Sequence, residues 1–337
     1  MTFALSVLDQ SPIRSGSTAA AAIRETIELA QACERLGYRR YWLAEHHSSA
    51  GLAGSAPEVL IAAVAAHTST IRVGSGGVML PHYSAYKVAE AFRVLETLYP
   101  GRIDLGLGRA PGSDHITALA LRPEARNFGG DEFPQQLADL QGWLAGRMPQ
   151  GHPFERVVAQ PAGPSVPEIW MLGSSDGGAA YAAHFGLPFC FAQFIAGASG
   201  AEVVKAYRRY YKPSERYPSP RASAAIFVIA AETEAEAEYL GASRRLWLLR
   251  HARGHVGAYP SPDEALAQSY SAAELDYIRQ QSGRSIIGAI GQVKTRLEAM
   301  AGEYGVDELV IVTITHDPAA RRRSYELLAE AFSLVPG

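Results

Sequence analysis

The residues best suited to chemistry are Glu45–His46–His47, which close the apolar run Tyr41–Trp42–Leu43–Ala44. They set a carboxylate and two adjacent imidazoles at the end of a short buried strand. In a parallel α/β protein active sites gather at that end, where the loops into the helices vary without disturbing the core. Successive side chains on a strand point to opposite faces. Trp42, Ala44 and His46 therefore share one face, and Tyr41, Leu43, Glu45 and His47 the other. The small Ala44 suits the crowded axis of a barrel, so His46 is expected to point inward and His47 away. A neutral imidazole with a pKa of about 6.5 can take and return a proton. The plainer alternative is a polar loop with two surface histidines. Glu45 has two candidate roles, orienting a histidine or pairing with an arginine.

Three further stretches carry chemical potential. In Val73–Gly74–Ser75–Gly76–Gly77–Val78–Met79–Leu80–Pro81–His82, glycines interrupt an apolar strand at a cost in entropy and packing. Such a run marks a bulge or the close approach of something flat, unless it eases a tight barrel corner. Gly106–Leu107–Gly108–Arg109–Ala110–Pro111–Gly112 places one arginine in a loop of small residues. Its planar fork suits a phosphate, a salt bridge being the ordinary role. Leu172–Gly173–Ser174–Ser175–Asp176–Gly177–Gly178 lies between a strand and a helix. Free amides, hydroxyls and the positive helix end there form a phosphate cradle or a simple cap.

The elements that must position these residues alternate along the chain. Strands are expected at Phe3–Leu8, Tyr41–Glu45, Ile71–Val78, Ile103–Leu107, Glu168–Leu172, Phe189–Ala192, Ala222–Ala230 and Glu308–Thr315. Helices follow at Ala19–Leu36 with Gly37 as left-handed cap, near Ser55, and at Ser84–Leu98, Phe133–Leu144, Gly178–Phe185, Ala201–Tyr211 and up to Phe332. Eight strands each trailed by helix indicate an α/β fold, the (β/α)8 TIM barrel, in a single domain over 1–337. No Gly-x-Gly-x-x-Gly opens a helix after the first strand, which argues against a dinucleotide-binding sheet. Between the seventh and eighth strands a helical insertion is expected at about 232–305, with helices at Thr233–Arg250, Pro262–Gln281 and Gly288–Tyr304.

Composition narrows the partners. A chain of 337 residues, 47% hydrophobic and 19% charged with net charge −3, gives no reason to expect nucleic acid or an anionic membrane. No apolar run approaches the roughly 20 residues that span a bilayer, and no signal-peptide pattern opens the chain. A cytoplasmic setting is expected. Cys33 and Cys190 sit among apolar residues and read as inert core thiols. A barrel metal hydrolase using His46, His47, His67 and His82 is disfavoured, because adjacent histidines diverge from a common ion. Asp9 and Gln10 either line a pocket or cap a turn, Trp143 and Trp247 read as core, and Arg321–Arg322–Arg323 reads as a solvated helix face. Pocket shape depends on 114–130 and 253–285.

Leu8–Asp9–Gln10–Ser11–Pro12–Ile13, the Glu45–His46–His47 ending, the Ser75–Pro81 run and the Pro100–Pro111 run together resemble the bacterial-luciferase-like flavin monooxygenase family, from Phe3 through the Ser324–Phe332 helix. The resemblance implies a TIM barrel binding FMN at its carboxyl face. There reduced FMN, supplied by a separate reductase, reacts with O2 to give a flavin hydroperoxide that oxygenates a small organic substrate. It implies His46 as general acid/base and a cis peptide at Gly76–Gly77, beside Ser75, against the flavin ring. It implies Arg109 and the loop Ser174, Ser175 and Gly178 at the phosphate, and a homodimer. One departure is that luciferase carries a glutamate at the position of Ser174, leaving this loop less acidic. A flavin hydroperoxide requires a dry site, for which Tyr83, Phe191 and Phe194 are candidate walls. Two rivals on the same fold are a deazaflavin- or FMN-dependent reductase and a non-catalytic flavin-binding protein.

Overall fold

Strands covered on both faces read as unbroken apolar runs, and the ten-residue run Ala222–Ala231 is buried throughout. The computed structural model describes residues 3–110, 114–123, 132–255 and 257–337. Its first half comprises β1 (Ala4–Asp9), α1 (Ala19–Arg35), β2 (Arg40–Leu43), α2 (Pro57–Ala66), β3 (Arg72–Met79), α3 (Ala85–Leu98), β4 (Ile103–Gly108), α4 (His115–Leu121) and α5 (Phe133–Leu144). Then come β5 (Glu168–Gly173), α6 (Asp176–Phe185), β6 (Phe189–Ala192), α7 (Ala201–Tyr210) and β7 (Ala222–Ala231). The remainder is α8 (Glu234–Ala252), α9 (Pro262–Leu266), α10 (Ala272–Gln280), β8 (Ser285–Ala289), α11 (Ile290–Tyr304), β9 (Glu308–Val312) and α12 (Pro318–Phe332).

The strands β1 to β7 pair in sequence, β9 joins β7 to β1, and every pairing is parallel. The result is a closed eight-stranded barrel ringed by helices, the (β/α)8 architecture. Gly37 follows α1 with φ +83°, the left-handed position expected of it. The segment between β7 and β9 is not helices alone. Ser285–Ala289 forms a ninth strand along the second half of β7, Phe227 to Ala231, past the point where β6 stops pairing at Ala225. The stretch expected as one helix over Pro262–Gln281 divides where Ser271 and Glu274 form a capping box that starts α10. Within the described residues no helix is long and apolar enough to cross a membrane. Pro111, Gly112 and residues 124–130 of the 114–130 loop lie outside the described residues.

Alternation along the strands produces two cores. Tyr41, Leu43, Val73, Leu105 and Phe189 face the helices. Leu8, Trp42, Ala44, Trp170, Cys190, Ala225 and Val310 fill the barrel. The lower end of the barrel is sealed by charge. Arg40, at 0% exposure, meets Asp104 and Glu308 at 2.6 Å each. Arg72 holds the other oxygen of Asp104 at 2.5 Å, and Trp42 Nε1 donates to Asp104 at 2.9 Å. Trp42 and Trp170 lie edge to face above this layer, 5.5 Å apart. A cavity inside the barrel can therefore open only at the carboxyl end.

The charge run at 321–323 is a correction. Arg321 is buried, donating to Asp9 at 2.7 Å and to the Thr313 carbonyl at 2.6 Å. Asp9 also accepts from Tyr41 and the Ser11 amide. Burial alone would raise its carboxyl, but these partners, Arg321 foremost, hold it below the ordinary carboxylate range. Only Arg322 and Arg323 serve the helix exterior, Arg323 reaching Glu232, Glu326 and Glu330.

Candidate active site

β2 ends at Leu43, and the chain continues with Ala44, Glu45 and His46 along the rim of a cavity of about 260 Å³ at the carboxyl end of the barrel. Trp42, Ala44 and His46 all line it, as strand parity requires. The His46 amide donates to the Gly54 carbonyl at 2.8 Å, which holds the rim in place. The ring atom Nδ1 is buried and has no hydrogen-bond partner among the described residues. Burial, then the nearby His47 and His251, push the His46 pKa down to about 4. The ring is therefore neutral near pH 7 and able to accept a proton or a hydrogen bond.

Glu45 and His47 turn away into a separate network. Glu45 Oε1 lies 2.6 Å from His47 Nε2 and accepts the Tyr83 hydroxyl at 2.6 Å, while Oε2 accepts the Met79 amide at 2.9 Å. Glu45 thus orients a histidine, and that histidine is His47. Burial and the Glu45 carboxylate push the Tyr83 hydroxyl well up, so it stays a donor. Through Met79 the network braces the end of β3.

On β3, Gly76 and Gly77 line the cavity, joined by a cis peptide, and the register against β4 shifts between Ser75 and Val78. Neighbours explain the glycines. A Cβ on Gly76 would stand 2.5 Å from Leu8 Cδ1, and one on Gly77 only 2.7 Å from the Gly106 carbonyl oxygen. Ser75 is not brought to the cavity. It is fully buried and its hydroxyl donates to the Gly106 carbonyl at 2.8 Å, tying β3 to β4.

Arg109 lines the cavity from the end of β4, and no ion pair holds it among the described residues. Its guanidinium lies against the first turn of α6 and 5.8 Å from the Tyr181 ring. A Cβ on Gly177 would stand 2.7 Å from Nη1 and 2.9 Å from Nη2, so a side chain there would displace the arginine. The N-cap Ser175 makes no side-chain cap bond, which leaves first-turn amides of α6 for a ligand. Ser174, Ser175 and Gly178 line the cavity beside them. Gly178 also lets α6 approach β5, since its Cβ would stand 3.3 Å from Gly173 Cα. A cation without an ion pair among the described residues and a helix N-terminus thus converge, a fit for a phosphate.

Several residues fall elsewhere than their sequence suggests. Gln10 and Phe194 line the cavity, whereas Asp9 is held by Arg321. Phe191 points to the outer core, its ring lying where a Gly200 Cβ would be. Cys190 faces the cavity, and burial pushes its thiol up to about 12, so it stays unreactive at neutral pH. Trp247 is half-buried and stacks on His251 at 4.9 Å and 11°. Sequence reasoning did not single out His251, Arg244 or Tyr259, all contributed by the segment after β7. His46 and His47 diverge, and among the described residues no group of three His, Cys, Asp or Glu converges on a common point.

Comparison with known proteins agrees with this geometry. The family model described as luciferase-like monooxygenase matches residues 1–308. The chain is 39% identical to the N-acetyl-S-alkylcysteine monooxygenase of Bacillus subtilis (strain 168), covering 97% of both chains. It is 41% identical to the crystal structure of apo-MsnO8, with a TM-score of 0.92 over 100% of this chain and 99% of that one. The oxygenating constituent of 3,6-diketocamphane monooxygenase from Pseudomonas putida, solved in complex with FMN, shares the fold. There the TM-score is 0.71 at 20% identity, over 98% of this chain and 97% of that one.

Proposed function

Because the chain belongs to the luciferase-like monooxygenase family, an oxidoreductase family, we propose that it uses reduced FMN and O2 to oxygenate a small organic substrate. The observation that carries this reading is the convergence on one cavity of Arg109, uncapped amides of α6 and His46 Nδ1, the first without an ion pair and the last without a hydrogen-bond partner among the described residues. A phosphorylated, planar cofactor with hydrogen-bonding ring edges meets all three needs. The monooxygenase description of the matching family supports an oxygen-using flavin, while solved neighbours on the same fold occur with FMN and with F420.

In this reading Arg109 and the amides near Ser175 and Gly178 hold the phosphate, with Ser174 at the loop edge. Gly76 and Gly77 present bare backbone to the ring, and Ser75 acts only by fixing β3 on β4. Bound reduced flavin supplies the activation of O2. The protein supplies a dry chamber, walled by Leu8, Trp42, Leu172 and Phe194. His46 Nδ1 accepts or returns a proton at the reacting edge. A cavity open at one end suits reduced flavin arriving from a separate reductase. A homodimer and a cytoplasmic setting complete the proposal.

Anaerobic titration with reduced FMN, and in parallel with a reduced deazaflavin, tests the cofactor. Saturable binding of FMN, followed by oxygen uptake on admitting air, is the expected result. Binding of the deazaflavin alone, with turnover indifferent to oxygen, would replace this reading by the reductase.

A further inference from the structure

α8 carries a buried cation that meets no carboxylate among the described residues. Arg244 is 6% exposed, its Cζ 4.0 Å from the centre of the Phe227 ring and 5.2 Å from that of Trp247. Its Nε is buried without a partner, and no hydrogen bond or ion pair holds the guanidinium among the described residues. Beside it the Tyr259 hydroxyl, on a residue 2% exposed, is also buried and has no partner among the described residues. Arg284, just before β8, is a second cation with no ion pair among the described residues, and its Nε has no partner among them. A Cβ on Gly197 would stand 3.9 Å from its Nη2, next to the Phe194–Ile195 wall of the cavity.

These groups do not line the cavity described above and reach its β7 side through Phe227. Ala225 lines it, and Phe227, two residues on, shares the inward face of β7 one layer nearer the mouth. Arg244 rests on that ring. Trp247 links it to His251, which in turn lies close enough to His46 to depress its basicity. In the ring of eight strands, β7 is four places from β3 and so lies across the barrel from Gly76 and Gly77. Arg109 and α6 are on the β4–β5 side. The two cationic sites are thus separate, with the chamber between them.

An arginine does not shed its charge near neutral pH. Burial moves the Arg244 pKa down to about 10, still cationic at neutrality. Buried charges are ordinarily paired, and the Phe227 and Trp247 faces offset only part of the cost. The missing partner is an anion from outside. We propose that Arg244 and the Tyr259 hydroxyl, with Arg284 at the rim, bind the carboxylate of the substrate, which is therefore an organic acid. The proposal rests on the flavin reading for the identity of the chamber. A forked contact from the guanidinium suits a carboxylate. It would anchor the acid on the β7 side and leave its reactive atom between Arg244 and His46.

The test is calorimetric titration of the full-length protein, flavin-free and FMN-loaded, with hexanoate and 3-phenylpropanoate against hexanamide and 3-phenylpropanamide. At least one acid should bind about 10-fold or more tighter than its amide, as a charged hydrogen bond implies. R244Q should erase that preference and leave FMN affinity unchanged, and Y259F should weaken the acid several-fold without touching the amide. R244M, which removes an unpaired buried charge, should melt at the same temperature or higher. Equal affinity of acids and amides in the parent protein would overturn the proposal. So would a preference that survives R244Q, or a cooperative fold lost in R244M, which would make Arg244 a structural residue. Failure of the parent to bind FMN would instead strike the flavin reading and leave the acid–amide comparison intact.

Discussion

Replacing Arg109 by methionine isolates the phosphate contact. No ion pair among the described residues holds Arg109, so the variant breaks no carboxylate partnership. Its guanidinium lies against Gly177 and 5.8 Å from the Tyr181 ring, a ring contact of about 0.5–1 kcal/mol at an exposed site. Melting should therefore change little. Toward a phosphate the loss is larger, about 1.5–3 kcal/mol for a charged hydrogen bond. That corresponds to FMN binding weaker by roughly 10- to 150-fold. Binding should not vanish, because the amides at the start of α6 remain. Quenching of flavin fluorescence on titration measures the affinity, and riboflavin, which lacks the phosphate, is the control. The variant should bind riboflavin as the parent does and lose most of the parent's sensitivity to salt. An unchanged FMN affinity, or an equal loss for FMN and riboflavin, would refute the assignment.

Four other outcomes follow from the same geometry. His46→Ala should slow oxygenation by about 10²–10⁴-fold, the usual range for general acid/base help, with FMN affinity within a few-fold; a variant with normal turnover would remove His46 from the chemistry. Tyr83→Phe should cost about 1–3 kcal/mol in denaturant melts, because Glu45 loses a buried donor, and an unchanged midpoint would show the network to be idle. Arg40→Met should destabilise by about 3–5 kcal/mol, because it removes the cation shared by two buried carboxylates and leaves Asp104 to Arg72 and Trp42 and Glu308 to Ser6 and the more distant Arg39; a neutral result would count directly against this. The Glu168 carboxyl, for which burial is outweighed by Arg72, Arg221 and Arg40, is held down to about 2. Its stabilising effect is present above the ordinary carboxylate pKa of about 4.3 and is lost as pH falls toward 2, so Glu168→Gln should flatten the acid limb of a pH–stability curve.

The barrel was legible because its strands are buried on both faces and so read as apolar runs, Ala222–Ala231 most plainly. Parity placed His46 inside because Trp42 and Ala44 belong to the inner core while Tyr41 and Leu43 belong to the outer one. Ser285–Ala289 was read partly as helix because it is short, contains a glycine and pairs only with the end of β7. Arg321 looked like part of a solvated face, since its partner Asp9 is 312 residues away. Ser75 was taken with its glycine neighbours, although strand alternation turns it onto β4 instead. Arg40 stands at a strand start, where a charge usually signals solvent, and its carboxylate partners come from β4 and β9. Arg244 sits in the polar run Ser243–Arg244–Arg245, whose buried face appears only once α8 packs on β7.

Oxygenation with reduced FMN is assigned to the chamber above Trp42 and Trp170. Turnover of an accepted substrate under ¹⁸O₂ in ordinary water, with reduced FMN supplied and the product weighed by mass spectrometry, tests it most directly. One ¹⁸O atom per product molecule is expected, with far less product formed by His46→Ala. Product formed without ¹⁸O, or formed equally well in the absence of oxygen, would contradict it.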